Sequence, residues 1–176
     1  MSDEHPGNRR IDRIRDPAYL TGLTDRSLEE VRALRDECMA EREYLSLLRR
    51  LVQGRAEILK AELSARGSGD DRPLIDRLSE ILSSDQPATS RGEAMRVSLP
   101  EEEMLQARRR IERLATDAGI SDPSELDDAE LREAVTVLSA EETEVSSLRN
   151  DVLHVLDVLQ GELKRRYKED PSLALS

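Results

Sequence analysis

Ser46, Arg49, Gln53 and Glu57, in and just beyond the stretch "YLSLLRRLVQGR", follow one another at steps of three, four and four residues. On a helix of about 3.6 residues per turn these four form one polar stripe beside an apolar seam. The residue types suit nucleotide chemistry. Arginine is a planar cation that forks onto a phosphate or a guanine edge and stacks on a base. An ionised carboxylate accepts two N–H donors, which matches the Watson–Crick edge of guanine, while Ser and Gln bond phosphate oxygens or base edges. A solvated helix flank produces Arg and Glu at the same spacing, so two readings stand: a nucleotide-binding stripe or an ordinary charged face.

One hundred residues later the stripe recurs as Glu142, Ser146, Arg149, Leu153 and Asp157, and Arg42 occupies the first-repeat position equivalent to Glu142. Residues 27–66 align with 127–166 without a gap, with identities that include Glu30/Glu130, Glu41/Glu141, Ser46/Ser146, Arg49/Arg149, Glu62/Glu162 and Arg66/Arg166. Ser27 with Glu30, and Asp127 with Glu130, have capping-box spacing and predict a helix start in each repeat. Val31, Cys38, Leu45, Val52 and Leu59 recur every seven residues, as do Leu131, Leu138, Val145, Val152 and Leu159. Heptads held this long imply a left-handed coiled coil of two helices, each roughly 60 Å long at about 1.5 Å per residue. Leu34, Leu48, Leu148 and Val155 fill the second seam position, with Ala56, Leu63, Leu156 and Leu163 beside it. Glu41 and Glu141 break the seam at equivalent places, either as a register device or as an opening toward a ligand or partner. If the helices run antiparallel, a pseudo-twofold axis crosses near Leu48 and Leu148 and puts both stripes on one side.

The expected architecture is all-α: two long helices, 27–66 and 127–167, with shorter helices at 74–82 and 101–118 in the connection and a linker at 83–99. Residues 1–22 read as a mobile segment, 23–168 as one helical coiled-coil domain and 169–176 as a frayed tail. Gly67 is the expected stop of the first long helix, and Pro100 with Glu101–Glu103 a helix start favoured by proline geometry and the helix dipole.

The chain has 176 residues, no Phe or Trp and three Tyr, with 37% charged and 37% hydrophobic residues. That balance fits long helices built on Leu, Val, Ile and Ala. A formal net charge of −11 disfavours sequence-independent DNA binding, which rests on cations neutralising phosphates, and favours a basic protein partner. No apolar run approaches the roughly 20 residues that span a bilayer, and the polar start is unlike a signal peptide, so a cytoplasmic location is expected. Cys38, the single cysteine, falls on an apolar heptad position and reads as a small buried hydrophobe. His5 and His154 have no companions that would form a metal cluster, Ser146 has no adjacent base, and no phosphate-gripping glycine loop occurs, so no enzyme is expected.

"DPAYLTGL" followed by "LEEVRALRDECMAEREYLSLLRRLVQGRAEIL" resembles the RsiG anti-sigma factors of actinobacteria. Those proteins carry E-x3-S-x2-R-x3-Q-x3-D on each of two long helices of an antiparallel coiled coil. The resemblance is densest over 16–66, thinner over the second helix, and absent from 67–126. It implies a cyclic di-GMP ligand, bound as an intercalated dimer, and a WhiG-type sigma factor held inactive. Carried over by position, the ligand residues are Arg42, Ser46, Arg49, Gln53 and Glu57 in the first repeat. In the second they are Glu142, Ser146, Arg149 and Asp157. Arg42 for Glu, Leu153 for Gln and Glu57 for Asp depart from the pattern. A coiled-coil scaffold with no nucleotide ligand is the alternative. It leaves the recurrence of S-x2-R at matching heptad positions without a cause.

Overall fold

The structure, a computed structural model, describes residues 9–69, 72, 76, 99–117 and 123–174, and the expected helix at 74–82, residue 76 apart, and most of the 83–99 linker lie outside these residues. The described elements are all helical. Helix α1 spans Arg10–Arg15, α2 Leu28–Ser68, α3 Glu101–Asp117 and α4 Asp128–Glu169, with short 3-10 turns at Pro17–Leu20, Leu23–Asp25 and Pro171–Ala174. The chain divides into two compact units, Met1–Ser46 with Val145–Ser176, and Leu47–Glu144.

Both long helices begin on the expected caps. Glu30 N–H donates to Ser27 Oγ (3.2 Å) and Ser27 N–H to Glu30 Oε2 (2.7 Å). Asp127 Oδ1 accepts from the Ala129 and Glu130 amides (both 2.8 Å), and Asp127 N–H donates to Glu130 Oε2 (2.8 Å). Each exchange satisfies amides that the first helical turn leaves without partners. The hydrogen bond from the Ser27 amide also holds the Glu30 carboxyl below its ordinary pKa. Helix α2 passes Gly67 and ends at Ser68, because the residue that turns left-handed is Gly69 (φ 69°). Gly22 (φ 64°) makes the equivalent bend between the two 3-10 turns that precede α2.

In the first unit the 28–46 part of α2 packs antiparallel to the 145–169 part of α4. Arg32 Nε reaches Tyr167 Oη (3.1 Å), while Arg149 Nε, near the other end, reaches Ser46 Oγ (3.1 Å). The second unit pairs α2 and α4 in the same sense, with Gln53 on Glu142 and Arg66 on Asp128. The heptad residues Val31, Cys38, Leu45, Val52 and Leu59, and their repeat equivalents Leu131, Leu138, Val145, Val152 and Leu159, are all buried. Fully burying one such Leu or Val contributes about 1.5–3 kcal/mol, so this seam is the principal source of each unit's stability. Of the second-position residues, Leu48, Ala56, Leu156 and Leu163 are buried, whereas Leu34, Leu63, Leu148 and Val155 are half-buried.

Two segments are more structured than the sequence reading anticipates. Ahead of residue 19, α1 buries Ile11 and Ile14 in the first unit, and Asp16 caps the following turn through the Ala18 amide (2.8 Å). At the far end Pro171–Ala174 forms a turn whose Leu173 carbonyl accepts from Arg32 Nη2 (2.7 Å). Helix α3 in the second unit buries Ala107, Ile111 and Ala115 at four-residue spacing. The 100-residue repeat therefore reaches further back than the long helices: "RRIDRI" at 9–14 corresponds to "RRIERL" at 109–114.

Candidate functional site

The break in the seam at Glu41 has a specific occupant. Glu41 is 4% exposed, and Arg10 Nε of α1 donates to its Oε2 at 2.6 Å. In the second unit Arg110 of α3 takes Glu141 with Nε at 3.0 Å and Nη2 at 2.7 Å. Both acids are ion-paired and neither is an exposed opening. Each is the anchor for a short helix brought over the seam by its own repeat. A carboxylate removed from water needs such a partner, because an unpaired buried charge is strongly destabilising.

A second pair of arginines ties each unit's loop to the opposite helix. Arg166 Nη1 donates to the Arg26 carbonyl (2.8 Å), and Nη2 to those of Leu23 (2.9 Å) and Thr24 (3.4 Å). Arg66 does the same one repeat away: Nη1 to Leu126 (2.6 Å), Nη2 to Pro123 (3.1 Å) and Ser124 (3.4 Å). The glutamate one turn earlier orients each guanidinium, Glu162 for Arg166 (2.6 Å) and Glu62 for Arg66 (3.0 Å). Glu162 also pairs with Arg165, and the two guanidiniums, Arg165 foremost, pull its carboxyl down to about 2. These identities, visible in the repeat alignment, thus serve the scaffold and not a ligand.

The stripe residues fall into two sets, one in each unit. In the first, Ser46 Oγ donates to the Arg42 carbonyl (2.7 Å) and accepts from Arg149 Nε (3.1 Å), so a repeat-one serine and a repeat-two arginine meet. Arg42 itself lies 3.9 Å from Glu43. Ser146 is half-buried, and Asp157 stands exposed on α4. In the second set Glu142 is the hub: Gln53 Nε2 donates to its Oε1 at 2.5 Å, and Arg49 Nε lies 3.5 Å from the same oxygen. Arg49 Nε is buried and makes no hydrogen bond among the described residues. Glu57 is not part of this hub and lies 3.4 Å from Lys60 one turn along. The first set thus holds guanidinium, hydroxyl and carboxylate groups, and the second guanidinium, carboxylate and the Gln53 amide.

Away from the stripe, Tyr19 Oη contacts the Leu34 carbonyl (3.1 Å), Glu37 (3.0 Å) and Cys38 Sγ (3.7 Å). Burial raises the Tyr19 hydroxyl's pKa well above its ordinary range and pushes the Cys38 thiol up to about 11, consistent with a structural thiol. Among the described residues no cluster of His, Cys, Asp and Glu could hold a metal ion, and no helix is long and apolar enough to cross a membrane.

Fold and site together define an all-helical, internally duplicated coiled-coil protein whose polar sets are built from residues of both repeats. The RsiG-like family model matches residues 17–82 and 117–175, and the chain belongs to that family. The membership suggests an anti-sigma factor. No curated protein matches the chain. The matched segments leave out α1 and nearly all of α3, the two helices that anchor on the seam acids.

Proposed function

We propose that this protein is a cyclic di-GMP-responsive anti-sigma factor that sequesters a flagellar, WhiG-type sigma factor in the cytoplasm. The candidate binding residues are Arg42, Ser46, Arg149, Ser146 and Asp157 within one unit and, separately, Arg49, Gln53, Glu57 and Glu142 within the other. One observation supports this most: Arg149 donates to Ser46, and Glu142 lies against Arg49 and Gln53, so motif residues of one repeat meet those of the other. Arginine supplies the charge-assisted bonds to phosphate, and the acids accept from the guanine edge. The net charge of −11 suits a basic sigma surface and opposes direct DNA binding.

A scaffold without a ligand is favoured by a different fact. Glu142 is already satisfied by Gln53 and Arg49, as interhelical polar contacts that only hold helices together would be. Calorimetric titration with cyclic di-GMP, with and without the sigma factor, separates the two. The regulatory reading expects binding at micromolar concentration or tighter, corresponding to about −8 kcal/mol or better. Arg49→Ala or Arg149→Ala should abolish it, and Arg108→Ala on α3 should not. A flat titration in the presence of the sigma factor establishes the scaffold.

A further inference from the structure

We infer that the outer face of α3 docks a second copy of this chain, with two α3 helices lying antiparallel about a twofold axis at Leu105. The inference stands apart from the nucleotide reading. Along α3 the residues Glu101, Glu102, Leu105, Arg108 and Arg109 follow at steps of one, three, three and one. On a helix those steps place all five on one face, and all five are exposed, whereas Ala107, Ile111 and Ala115 are buried in the unit. The order is symmetric in position and opposite in charge: acids stand four and three residues before Leu105, arginines three and four after it. Leu105 itself is 42% exposed, one of two large apolar side chains left in solvent among the described residues.

Glu101, Glu102, Arg108 and Arg109 make no ion pair among the described residues. A helical ion pair needs a partner three or four residues away, and Glu101 and Glu102 find Met104, Leu105 and Gln106 there. The short helix of the first unit is different. In α1 Arg9 pairs with Asp12, and Arg10, Arg13 and Arg15 pair with Glu41, Glu37 and Asp151 of the long helices. At the positions equivalent to Glu37 and Asp151 the other repeat has Val137 and Leu51, so of the pairs that hold α1 to the long helices α3 keeps Arg110–Glu141. A second α3 reversed about Leu105 brings Glu101 opposite Arg109 and Glu102 opposite Arg108, twice each, with the two Leu105 side chains meeting at the axis. A twofold interface must be complementary to itself, and this face is. A basic partner would meet the arginines and an acidic one the glutamates, so neither fits the whole face. The helix dipole favours acids at the start of α3 but gives no reason for an exposed leucine at the centre of the charges.

Sedimentation equilibrium of the full chain, at low and at raised salt, tests this. One helix face with exposed ion pairs is a small interface, so the wild type should dimerise with a dissociation constant on the order of 100 µM, weakened by salt. Arg108→Glu with Arg109→Glu makes the face wholly acidic, and Glu101→Arg with Glu102→Arg makes it wholly basic. Each double variant alone should self-associate on the order of tenfold or more less tightly than the wild type. An equimolar mixture of the two should form a heterodimer at least as tight as the wild-type dimer, because every facing pair is then of opposite sign. Leu105→Lys, which sets two like charges at the axis, should also remove the dimer, and provides the reading if circular dichroism shows that the double variants lose helix. A wild type that stays monomeric well above that concentration overturns the inference, and loss of sigma-factor binding in the same variants would then assign the face to that partner. A dimer that Leu105→Lys and both double variants leave intact overturns it as well, as does a mixture that associates no more than its parts.

Discussion

The two units of this chain are built to one plan and differ where a ligand would touch them. Each has an arginine-bearing short helix seated on a seam acid, Arg10 on Glu41 and Arg110 on Glu141. Each has a glutamate-oriented arginine spread across three loop carbonyls, Arg166 over 23, 24 and 26 and Arg66 over 123, 124 and 126. At the stripe the likeness ends: Arg42 faces the role of Glu142, and Leu153 that of Gln53. Change at the scaffold contacts is costly, because it leaves a buried charge without its partner. Polar groups at a partly exposed site can be exchanged at small cost to stability.

The largest way to break the comparison is at the clamps. Arg166 is the more enclosed of the two, its side chain 12% exposed against 27% for Arg66. Arg166→Ala strands Leu23, Thr24 and Arg26 carbonyls and removes one of two cations from Glu162, so a loss of about 2–3 kcal/mol is expected. Arg66→Ala should cost less; urea denaturation midpoints with unchanged slope provide the measurement. Equal losses would mean that the two clamps bear the same load.

A smaller effect is expected at the seam. Arg10→Ala takes a 2.6 Å partner from an almost buried Glu41 and should destabilise by about 1–2 kcal/mol. Adding Glu41→Leu should restore most of this, because an apolar seam residue no longer needs a cation. Arg110→Ala, acting on the less enclosed Glu141, should fall below Arg10→Ala in the same assay.

The smallest effect is on pH dependence. Glu162 has an ordinary value of 4.5 and sits at about 2 in the folded chain, held there first by Arg165 and then by Arg166. Its contribution is complete above 4.5 and is lost as the pH falls toward about 2, the direction required for a carboxylate with a depressed folded value. Glu162→Gln should flatten the unfolding free energy across that window and leave its slope above pH 5 unchanged. An unaltered acid limb would show that Glu162 titrates as it does in the unfolded chain.

Much of this was legible in advance because helical periodicity is a local property. Ten heptad positions were named from spacing and all ten are buried, and both capping boxes close as written. That the two stripes share one side was expected only for antiparallel helices, and the particular contact of Arg149 with Ser46 was not read from the sequence. The short-helix anchors were missed, although "RRIDRI" and "RRIERL" lie at the same 100-residue offset. Six residues carry too little periodicity to stand out from a charged segment. The clamps were half visible: Glu62/Glu162 and Arg66/Arg166 were recognised as repeated, but their loop carbonyls have no side-chain signature at all.

The amino-acid order alone determined that there are two long helices, where they start, which stripe is buried and which residues recur. Those properties depend on neighbours within a few turns. Only the tertiary structure decided what the recurring charges touch: that Glu41 and Glu141 hold short helices, that Glu142 is occupied by Gln53 and Arg49, and that Arg149 rests on an uncharged serine. An ion pair is made by whichever groups distance and burial bring together, and residues far apart in the chain acquire that distance only on folding.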